Sequence, residues 1–390
     1  MRKKRTRKQK LRNSFLWLHR WLGLISGIVV FIVAVSGCLY VFEEEGRDLF
    51  QQKYFYVNVP VNAIRRPLHE ISDAVKKQYP SDSITQIRFK EKANAAIVYH
   101  TKTEKAISVN PYTLEITGVR NLKTDFFNWI LKLHMNLHMG KVGNEIVRWN
   151  VLIFFIMCIT GLIIWWPKQK RFLKQALRIK FKTKKWKRLN WDLHSVLGFY
   201  SLLVLLIISL TGIFWMFDWA TQFTAFATGS KQTNTKPPAN KTKPSGAETF
   251  AMETAYYKAK ELYPGAAQVF ITNTANDKQP VRVLFRYPYT IVRKQNTLFF
   301  DKHSGELLRE DLYKNYTAYD KVMRSNYDFH TGRIRILGIG SKIIYFLASL
   351  FAASLPVTGF LIWWGRRKKT VAIRPVKKES KITELALQLQ

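Results

Sequence analysis

Four of the eight histidines occupy matching places in the two halves of the sequence, His19 with His194 and His134 with His330. Each precedes a long apolar run. If these runs cross a membrane one after another, the first pair lies at one end of the helices and the second pair at the other. Neutral imidazole is a good ligand for haem iron, and two axial imidazoles give a low-spin centre suited to electron transfer. The four histidines are therefore candidate axial ligands of haem iron.

Glycines recur at the same spacing from two of these histidines. A glycine follows His19 and His194 by four residues, and a second glycine comes fourteen residues later. Glycine has no side-chain bulk, so a flat macrocycle or another helix can approach the backbone closely. Plainer interpretations stay open: a histidine at a membrane surface can simply reach water, and glycines can serve packing alone. The candidate glycines are Gly23, Gly37, Gly198 and Gly212.

The other histidines lack matching partners. His138 follows His134 by four residues, so both are expected on one helix face, and His138 is a reserve ligand. His69, His100 and His303 are expected at the surface. No glycine-rich dinucleotide or phosphate loop follows a strand, and no HExxH or GxSxG motif occurs. The sequence thus predicts no flavin or nicotinamide site, and if the protein moves electrons, it must receive them from a partner or a quinol.

The elements that must position these residues are four apolar segments, each close to the roughly 20 residues that a spanning helix needs. They are Leu22–Phe42, Val147–Trp166, Val196–Trp219 and Ile343–Trp364. Many of the 12 tryptophans lie near the ends of these runs, as is typical of residues in the headgroup zone. The sequence therefore predicts an integral membrane protein with four spans.

The charge distribution predicts the orientation. The chain has 63 Lys and Arg against 26 Asp and Glu, a formal net charge of +37. In a soluble protein this excess would indicate nucleic-acid binding, but here the positive residues cluster beside apolar runs, so no nucleic-acid partner is expected. The N-terminus, the segment Lys168–Arg188 and the segment after Trp364 are all basic. By the positive-inside rule, these regions and both termini are cytoplasmic.

Both segments on the opposite side begin with a helix that ends at Tyr-Pro, followed by three strand-like runs and a turn. With the repeated histidines, this pattern predicts a tandem duplication: an all-α four-helix membrane bundle with two extracytoplasmic α+β units. Residues 229–246 are expected to form a mobile polar linker. The predicted regions are a cytoplasmic N-terminus 1–20, spans 21–43, 146–167, 193–219 and 340–364, α+β units 46–145 and 220–335, a cytoplasmic loop 168–192 and a cytoplasmic tail 365–390.

The motifs together resemble the PepSY-associated transmembrane helix family over roughly residues 14–368. They include the run WLHRWLGLISG from Trp17, the Leu133-His134 and Phe329-His330 pairs, and the endings GLIIWWP from Gly161 and GFLIWWG from Gly359. In the first half, His138 displaces the leucine usual in the family, which leaves open whether His134 or His138 faces a haem. By this resemblance, the two α+β units are PepSY-like.

The resemblance implies an inner-membrane protein of iron acquisition that carries haem and passes electrons outward to ferric siderophores. It implies two b haems, one held by His19 and His194 and one by His134 and His330. The expected partners are membrane lipid, a ferric siderophore or other Fe(III) chelate, and an electron donor that is either a cytoplasmic reductase or a quinol. Basic and aromatic residues of the second unit are candidates for contact with an anionic chelate: Arg282, Arg286, Tyr287 and Tyr289.

Two rival functions are open at this point. A non-enzymatic regulatory or binding protein, whose PepSY-like units contact peptidases or envelope proteins, would bind no cofactor. A transporter of an iron complex or metal would need a polar path, yet the predicted spans hold almost no ionisable residues. The reductase is the function that the sequence favours.

Overall fold

The computed structural model describes residues 6–230, 236–242, 251–273 and 276–370. Within these residues, four helices are long and apolar enough to cross a membrane, and they overlap the four predicted spans. We call them spans 1 to 4: Arg7–Tyr40, Gly140–Trp165, Trp186–Met216 and Ile339–Arg366. Span 1 begins 15 residues before the predicted apolar run, because a capping box between Thr6 and Gln9 starts the helix in the basic segment.

The remaining helices and the strands follow in chain order. Span 1 is α1, span 2 is α5, span 3 comprises α7 and α8 joined by a π-helical turn, and span 4 lies within α12. The bounds are α1 Arg7–Tyr40, α2 Glu43–Phe50, α3 Leu68–Gln78, β1 Ile84–Lys90, β2 Ile97–Thr101, β3 Lys105–Val109, β4 Ile116–Asn121, α4 Phe126–Asn136, α5 Gly140–Trp165, α6 Leu173–Ala176, α7 Trp186–Asp192, α8 Gly198–Met216, α9 Asp218–Thr228, α10 Met252–Leu262, β5 Gln268–Thr272, β6 Val281–Arg286, β7 Gln295–Phe300, β8 Leu307–Asp311, α11 Ala318–Thr331 and α12 Ile339–Thr370.

The spans are arranged so that span 1 packs against spans 2 and 4, and span 3 packs against the same two. Spans 1 and 3 therefore lie opposite each other. At Gly27 of span 1, an added Cβ would lie 3.4 Å from Pro356 of span 4, so these two helices approach closely near the proline. The end of the spans nearest the N-terminus and the 168–188 segment is called the basic end, and the opposite end the sheet end.

All eight strands form one antiparallel sheet in the order β4-β3-β2-β1-β5-β6-β7-β8. The two predicted α+β units meet where β1 pairs with β5 over five residue pairs, centred on Arg88 opposite Phe270. Helices α3 and α10 cover one face of this sheet, and the joint core includes Ile71, Tyr99 and Phe285. Because side chains alternate across a strand, the partners Arg88 and Phe270 project from the opposite face.

Helices α4 and α11 connect the sheet to spans 2 and 4. Asp125 caps the start of α4 through the backbone N–H of Asn128, and Thr317 caps α11 in a capping box with Asp320. Both helices end in a left-handed residue, at Leu137 and Gly332 respectively. Because α4 leads directly into span 2 and α11 is followed by span 4, the last turns of both helices lie at the sheet end of the spans.

The predicted linker 229–246 lies largely outside the described residues. Its described part, residues 236–242, is attached to the sheet region: the backbone N–H of Lys241 donates to Asp301 at 2.8 Å, and the Asn240 amide donates to the carbonyl of Asp277 at 2.6 Å. This part has fixed partners, so the prediction of a mobile linker does not describe it. The predicted cytoplasmic tail beyond residue 370 also lies outside the described residues.

Candidate functional site

The basic end brings His19 and His194 together. Their ring centroids are 6.4 Å apart and their planes are inclined by 85°. His19 lies on regular helix, whereas His194 lies in the π-helical turn Leu193–Leu197 of span 3. A π turn is a rare local widening that re-aims side chains and is found mostly at functional sites.

The sheet end repeats this arrangement with His134 and His330. Their centroids are 6.1 Å apart and the planes are inclined by 74°. They lie in the last turns of α4 and α11. Burial lowers the pKa of His330 to about 3, and the neighbouring His134 adds to this effect. Both rings of this pair are therefore neutral near pH 7, which is the form that binds metals.

A hydroxyl of a spanning helix contacts the Nδ1 atom of each paired histidine. The Nδ1–Oγ distances are 3.0 Å for His19, 2.9 Å for His194, 3.1 Å for His134 and 2.9 Å for His330. The hydroxyls belong, in the same order, to Thr160, Thr358, Ser36 and Thr211. The four histidines thus share one mode of support, although they come from different helices.

These contacts favour one tautomer of the rings. Thr160 and Thr358 can donate their own hydroxyl protons to carbonyls of the preceding turn, at 3.0 and 2.9 Å, which leaves each hydroxyl oxygen to accept a hydrogen bond from the imidazole N–H. At the sheet end, Nδ1 of His134 also lies 2.9 Å from the carbonyl oxygen of Val33, which can only accept. Nδ1 of His330 likewise lies 3.1 Å from the carbonyl oxygen of Ile208. These contacts favour the tautomer in which Nδ1 carries the proton and Nε2 keeps a lone pair. Metal-binding histidines show this pattern, in which the other ring N–H donates to an oxygen.

A glycine follows each of these hydroxyl residues and lies against the supported ring. An added Cβ would lie 3.3 Å from Cε1 of His19 at Gly161, and 3.2 Å from Cε1 of His194 at Gly359. The corresponding distances are 3.4 Å from His134 at Gly37 and 3.7 Å from His330 at Gly212. A Ser/Thr-Gly dipeptide on each span therefore forms a cradle for one histidine. The four cradles are Ser36-Gly37, Thr160-Gly161, Thr211-Gly212 and Thr358-Gly359.

The predicted glycines divide into two groups. Gly37 and Gly212 lie behind His134 and His330, but Gly23 and Gly198 contact no histidine. An added Cβ at Gly23 would meet Met157 at 3.2 Å, and at Gly198 it would meet Leu355 at 3.6 Å. The four hydroxyls were not among the residues predicted from the sequence, and neither Gly161 nor Gly359 was assigned to a site. The signal that could have found them is the Ser/Thr-Gly dipeptide present in every span.

His138 does not share a helix face with His134, contrary to the sequence interpretation. Helix α4 ends at Asn136, and both Leu137 and His138 have positive φ values of 53° and 58°. The His138 ring stacks on Trp129 at 4.7 Å, and its Nε2 lies 2.9 Å from the Trp129 carbonyl. The structure therefore pairs His134, not His138, with His330.

A cavity of about 560 Å³ lies beside the basic-end pair. Both histidines line it, together with Gly23, Gly198 and the two basic-end cradle glycines. The indole Nε1 of Trp165, also on its wall, is buried without a hydrogen-bond partner among the described residues. Four arginines line the cavity as well: Arg12, Arg20, Arg188 and Arg366.

The four candidate chelate-contacting residues of the second unit do not lie on one surface. Arg282 and Arg286 lie on the sheet face opposite the helices. Tyr287 packs against the helix-covered core and donates to the Tyr263 carbonyl at 3.1 Å. Tyr289 donates to Asp328 at 3.1 Å.

His100 was expected at the surface, but its Nε2 is buried without a partner among the described residues, and burial lowers its pKa to about 3.

Comparison with known families agrees with the motifs in the sequence. The family model described as the PepSY-associated TM region matches residues 16–366. No curated protein matches the chain significantly. The match covers most of the chain and includes most of span 1, all of spans 2 to 4 and the whole sheet. This chain is therefore a multi-pass membrane protein that belongs to the PepSY-associated TM region family.

Proposed function

We propose that the protein is a haem-bearing reductase of the bacterial cytoplasmic membrane, which passes electrons from the basic end to a ferric chelate at the sheet end. One observation carries the proposal. Four histidines in two pairs, at opposite ends of the spans, all have Nδ1 held by a hydroxyl and Nε2 left free. A purely structural histidine has no need of this arrangement four times over.

The geometry of the pairs supports one metal ion between each two rings. An imidazole–metal bond is about 2.0–2.1 Å long, so two such bonds in line would set ring centroids roughly 6 Å apart. The observed separations are 6.4 and 6.1 Å. Two imidazoles would supply only part of a metal's coordination, so these residues would suit a metal that carries its other ligands with it, as haem iron does.

The basic-end cavity also suits a b haem. Glycines line it where a flat ring would approach the backbone, and the unpaired Trp165 N–H offers a donor to a polar group of the ligand. Haem carries two propionate groups, and arginines such as Arg20 and Arg366 could pair with them. The repeated ring geometry at the sheet end supports a second haem there.

In this proposal, bound haem supplies a reversible one-electron carrier at each end. His19 and His194 hold the first carrier, and His134 and His330 hold the second. The hydroxyl and glycine cradles orient the rings, and the apolar spans exclude water between them. No side chain needs to gain or lose a proton for an electron to cross.

By the positive-inside rule, the basic end would lie in the cytoplasm and the sheet outside it. A cytoplasmic reductase or a quinol would supply the electrons. A quinol releases two electrons and two protons, so it would reduce two Fe(III) ions to Fe(II). Reduction loosens the chelate, because Fe(II) binds hard oxygen ligands more weakly than Fe(III) does.

The test is an absorption spectrum of the protein purified in detergent from haem-replete cells, before and after dithionite. We expect a b-type Soret and α band, and loss of about half the haem in either His19→Ala or His330→Ala. His138→Ala and His69→Ala are matched controls that should keep full haem. A colourless wild-type preparation would contradict the proposal and favour the regulatory function.

A further inference from the structure

Three arginines on the sheet face opposite α3 and α10 differ from most others in having no carboxylate partner among the described residues. Arg88 lies on β1, and Arg282 and Arg286 lie on β6, with the Phe270 ring of β5 between them. The guanidinium carbons of Arg286 and Arg88 lie 5.0 and 6.0 Å from the centroid of this ring. All three side chains are half-buried.

The contacts of these arginines leave their charge uncompensated. Arg286 donates to Gln268 at 3.0 Å, and Arg282 makes a 3.4 Å contact with Thr272, both of which are neutral partners. The Nε of Arg286 is buried without a partner in the described ranges. The nearby carboxylate of Asp328 is already paired with Arg293. Burial, with Arg293 adding to it, lowers the pKa of Arg286 to about 10.

The cluster faces the spans. At one edge of this face, Arg120 contacts Asp125 at the start of α4 at 3.4 Å, and in the loop after β6, Tyr289 donates to Asp328 of α11 at 3.1 Å. The Tyr327 ring lies 6.3 Å from Trp215, and Trp215 lies 4.8 Å from His330. A ligand held by the arginines would therefore lie on the side of the sheet that leads to the sheet-end histidine pair.

The cluster is not a shared feature of the two halves. The pairing of β1 with β5 sets Arg88 opposite Phe270, and Gln86 opposite Thr272. On the strands that flank this pair, β2 carries His100 opposite Gln86, and β6 carries Arg282 opposite Thr272. The three arginines without a carboxylate partner in the described ranges therefore lie together around β5, rather than at matching places in the two halves.

We propose that Arg88, Arg282 and Arg286 form the binding site for the electron acceptor, and that this acceptor is an Fe(III) chelate with negatively charged carboxylate groups. The inference rests on the proposed function for the identity of the acceptor, but the binding of an anionic chelate does not depend on haem. A guanidinium presents several N–H donors in a plane that matches a carboxylate. Partial burial strengthens such pairs by limiting the screening of charge by water.

The experiment measures binding without electron transfer. Gallium(III) citrate is the probe, since Ga(III) has the charge of Fe(III) and is not reduced under these conditions. Titration calorimetry of the full-length protein in detergent should detect binding that weakens as salt is raised. Arg88→Gln, Arg282→Gln and Arg286→Gln should each weaken it roughly 10- to 100-fold, the range for hydrogen bonds to charged groups.

Arg309→Gln is the matched control. Arg309 lies opposite Phe299 and in the same cross-strand row as Arg282, but it is paired with Asp311 at 3.0 Å. This variant should bind the probe as wild type does. A gallium trihydroxamate without anionic groups should bind weakly and be insensitive to all four changes.

Three results would overturn the inference. They are no binding of gallium citrate by wild type, binding of gallium citrate by the three arginine variants as tight as by wild type, or binding of the uncharged gallium trihydroxamate by wild type as tight as that of gallium citrate. Loss of haem from the arginine variants would also overturn it, because the arginines would then serve the cofactor. Failure of the reductase proposal is a different outcome, and it is recognised by a wild-type protein that is colourless when purified. The salt dependence of wild-type binding tests the charge requirement even if a variant does not fold.

Discussion

Each paired histidine has its ring direction set by contacts with a neighbouring helix. The Nδ1–H of His19 is held by Thr160, and the Cε1 edge rests against Gly161. Such preorganisation leaves one free atom, Nε2, with a defined direction. A metal site that is already oriented loses less free energy on binding than one whose ligands must first become ordered.

The hydroxyl contact gives the first prediction. Thr160→Val removes the acceptor for the His19 N–H while keeping the shape of the side chain. We expect haem affinity at the basic end to fall about 10- to 100-fold, as for other second-layer partners of metal ligands. The midpoint potential of the remaining haem should rise, because a less polarised imidazole donates less charge to iron.

Haem titration of the apoprotein and a redox titration measure these effects. Thr160→Ser restores the hydroxyl and should restore both values. If Thr160→Val matches wild type in affinity and in potential, the hydroxyl has no role in tuning the ligand.

The cradle glycines give the second prediction. Gly359→Ala should displace His194, since the new methyl would lie 3.2 Å from its Cε1, and the haem content should fall by up to half. Gly198→Ala should keep its haem, because the methyl would meet only Leu355 at an ordinary 3.6 Å. Haem-to-protein ratios compare the two variants, and equal ratios would contradict a steric role for Gly359.

At this scale the sequence predicted which histidines meet but not what holds them. Repetition marked His19, His194, His134 and His330, because a duplicated pattern is visible without coordinates. Serine and threonine inside apolar helices usually only bond to their own preceding turn, as Thr160 also does, so type and position alone gave no reason to single them out.

Among the elements, α2 and span 4 are joined by ion pairs at the sheet end. The buried amine of Lys342 donates to Glu44 at 2.9 Å and to Glu45 at 2.7 Å, and Arg333 lies 3.5 Å from Glu44. Burial alone would raise the pKa of Glu44, but Arg333, Lys342 and Arg335 lower it to about 2. These pairs connect the first half of the chain to the start of the last span.

The third prediction concerns pH. The folded pKa of Glu44 lies below its ordinary value of 4.5, so its stabilising effect is complete above that value and is lost as the pH falls towards 2. The Glu44 side chain is 34% exposed, so solvent screens part of its charge. We therefore expect Glu44→Gln to lower the free energy of unfolding by about 1 kcal/mol at pH 7. This corresponds to a Tm lower by about 2–4 °C.

Thermal unfolding followed by circular dichroism, at pH 7 and at steps down to pH 3, checks this prediction. The difference between wild type and Glu44→Gln should shrink as the pH falls. Glu145→Gln is the control, because Glu145 is 55% exposed in its pair with Arg148 and should change little. A difference that is constant with pH would contradict the assigned role.

Element ends were the least predictable part of the site. The spacing of His134 and His138 fits a continuous helix, but left-handed Leu137 ends α4 between them. Leucine rarely adopts this conformation, so local sequence gave no stop signal of the kind that Gly332 gives in α11. The spans were predicted well because a long apolar run allows few other structures.

On the scale of the whole molecule, the two α+β units share one sheet. The sequence predicted both units but not their junction, because β1 and β5 are far apart in the chain and strand pairing over such distances leaves no local pattern. Their contact includes a hydrogen bond in which Gln86 donates to Thr272 at 3.1 Å.

The fourth prediction tests this junction. In a background with Cys38 and Cys158 replaced by alanine, Gln86→Cys with Thr272→Cys should form a disulfide on mild oxidation, because antiparallel partners lie within disulfide range. Gln86→Cys with Leu284→Cys should not, since Leu284 lies one strand further away. Gel mobility without reductant distinguishes the two, and cross-linking of the second pair alone would refute the strand order.

The β1–β5 junction also limits how the halves can move. A carrier that works by rocking must separate its halves on one side of the bilayer and then on the other. Here, opening at the sheet end would break five residue pairs of backbone ladder, so the halves stay in register. Stiffness of this kind hinders a carrier of the rocking type. In the proposed reductase it would keep the distance between the two histidine pairs constant, and a constant distance makes the rate of tunnelling reproducible.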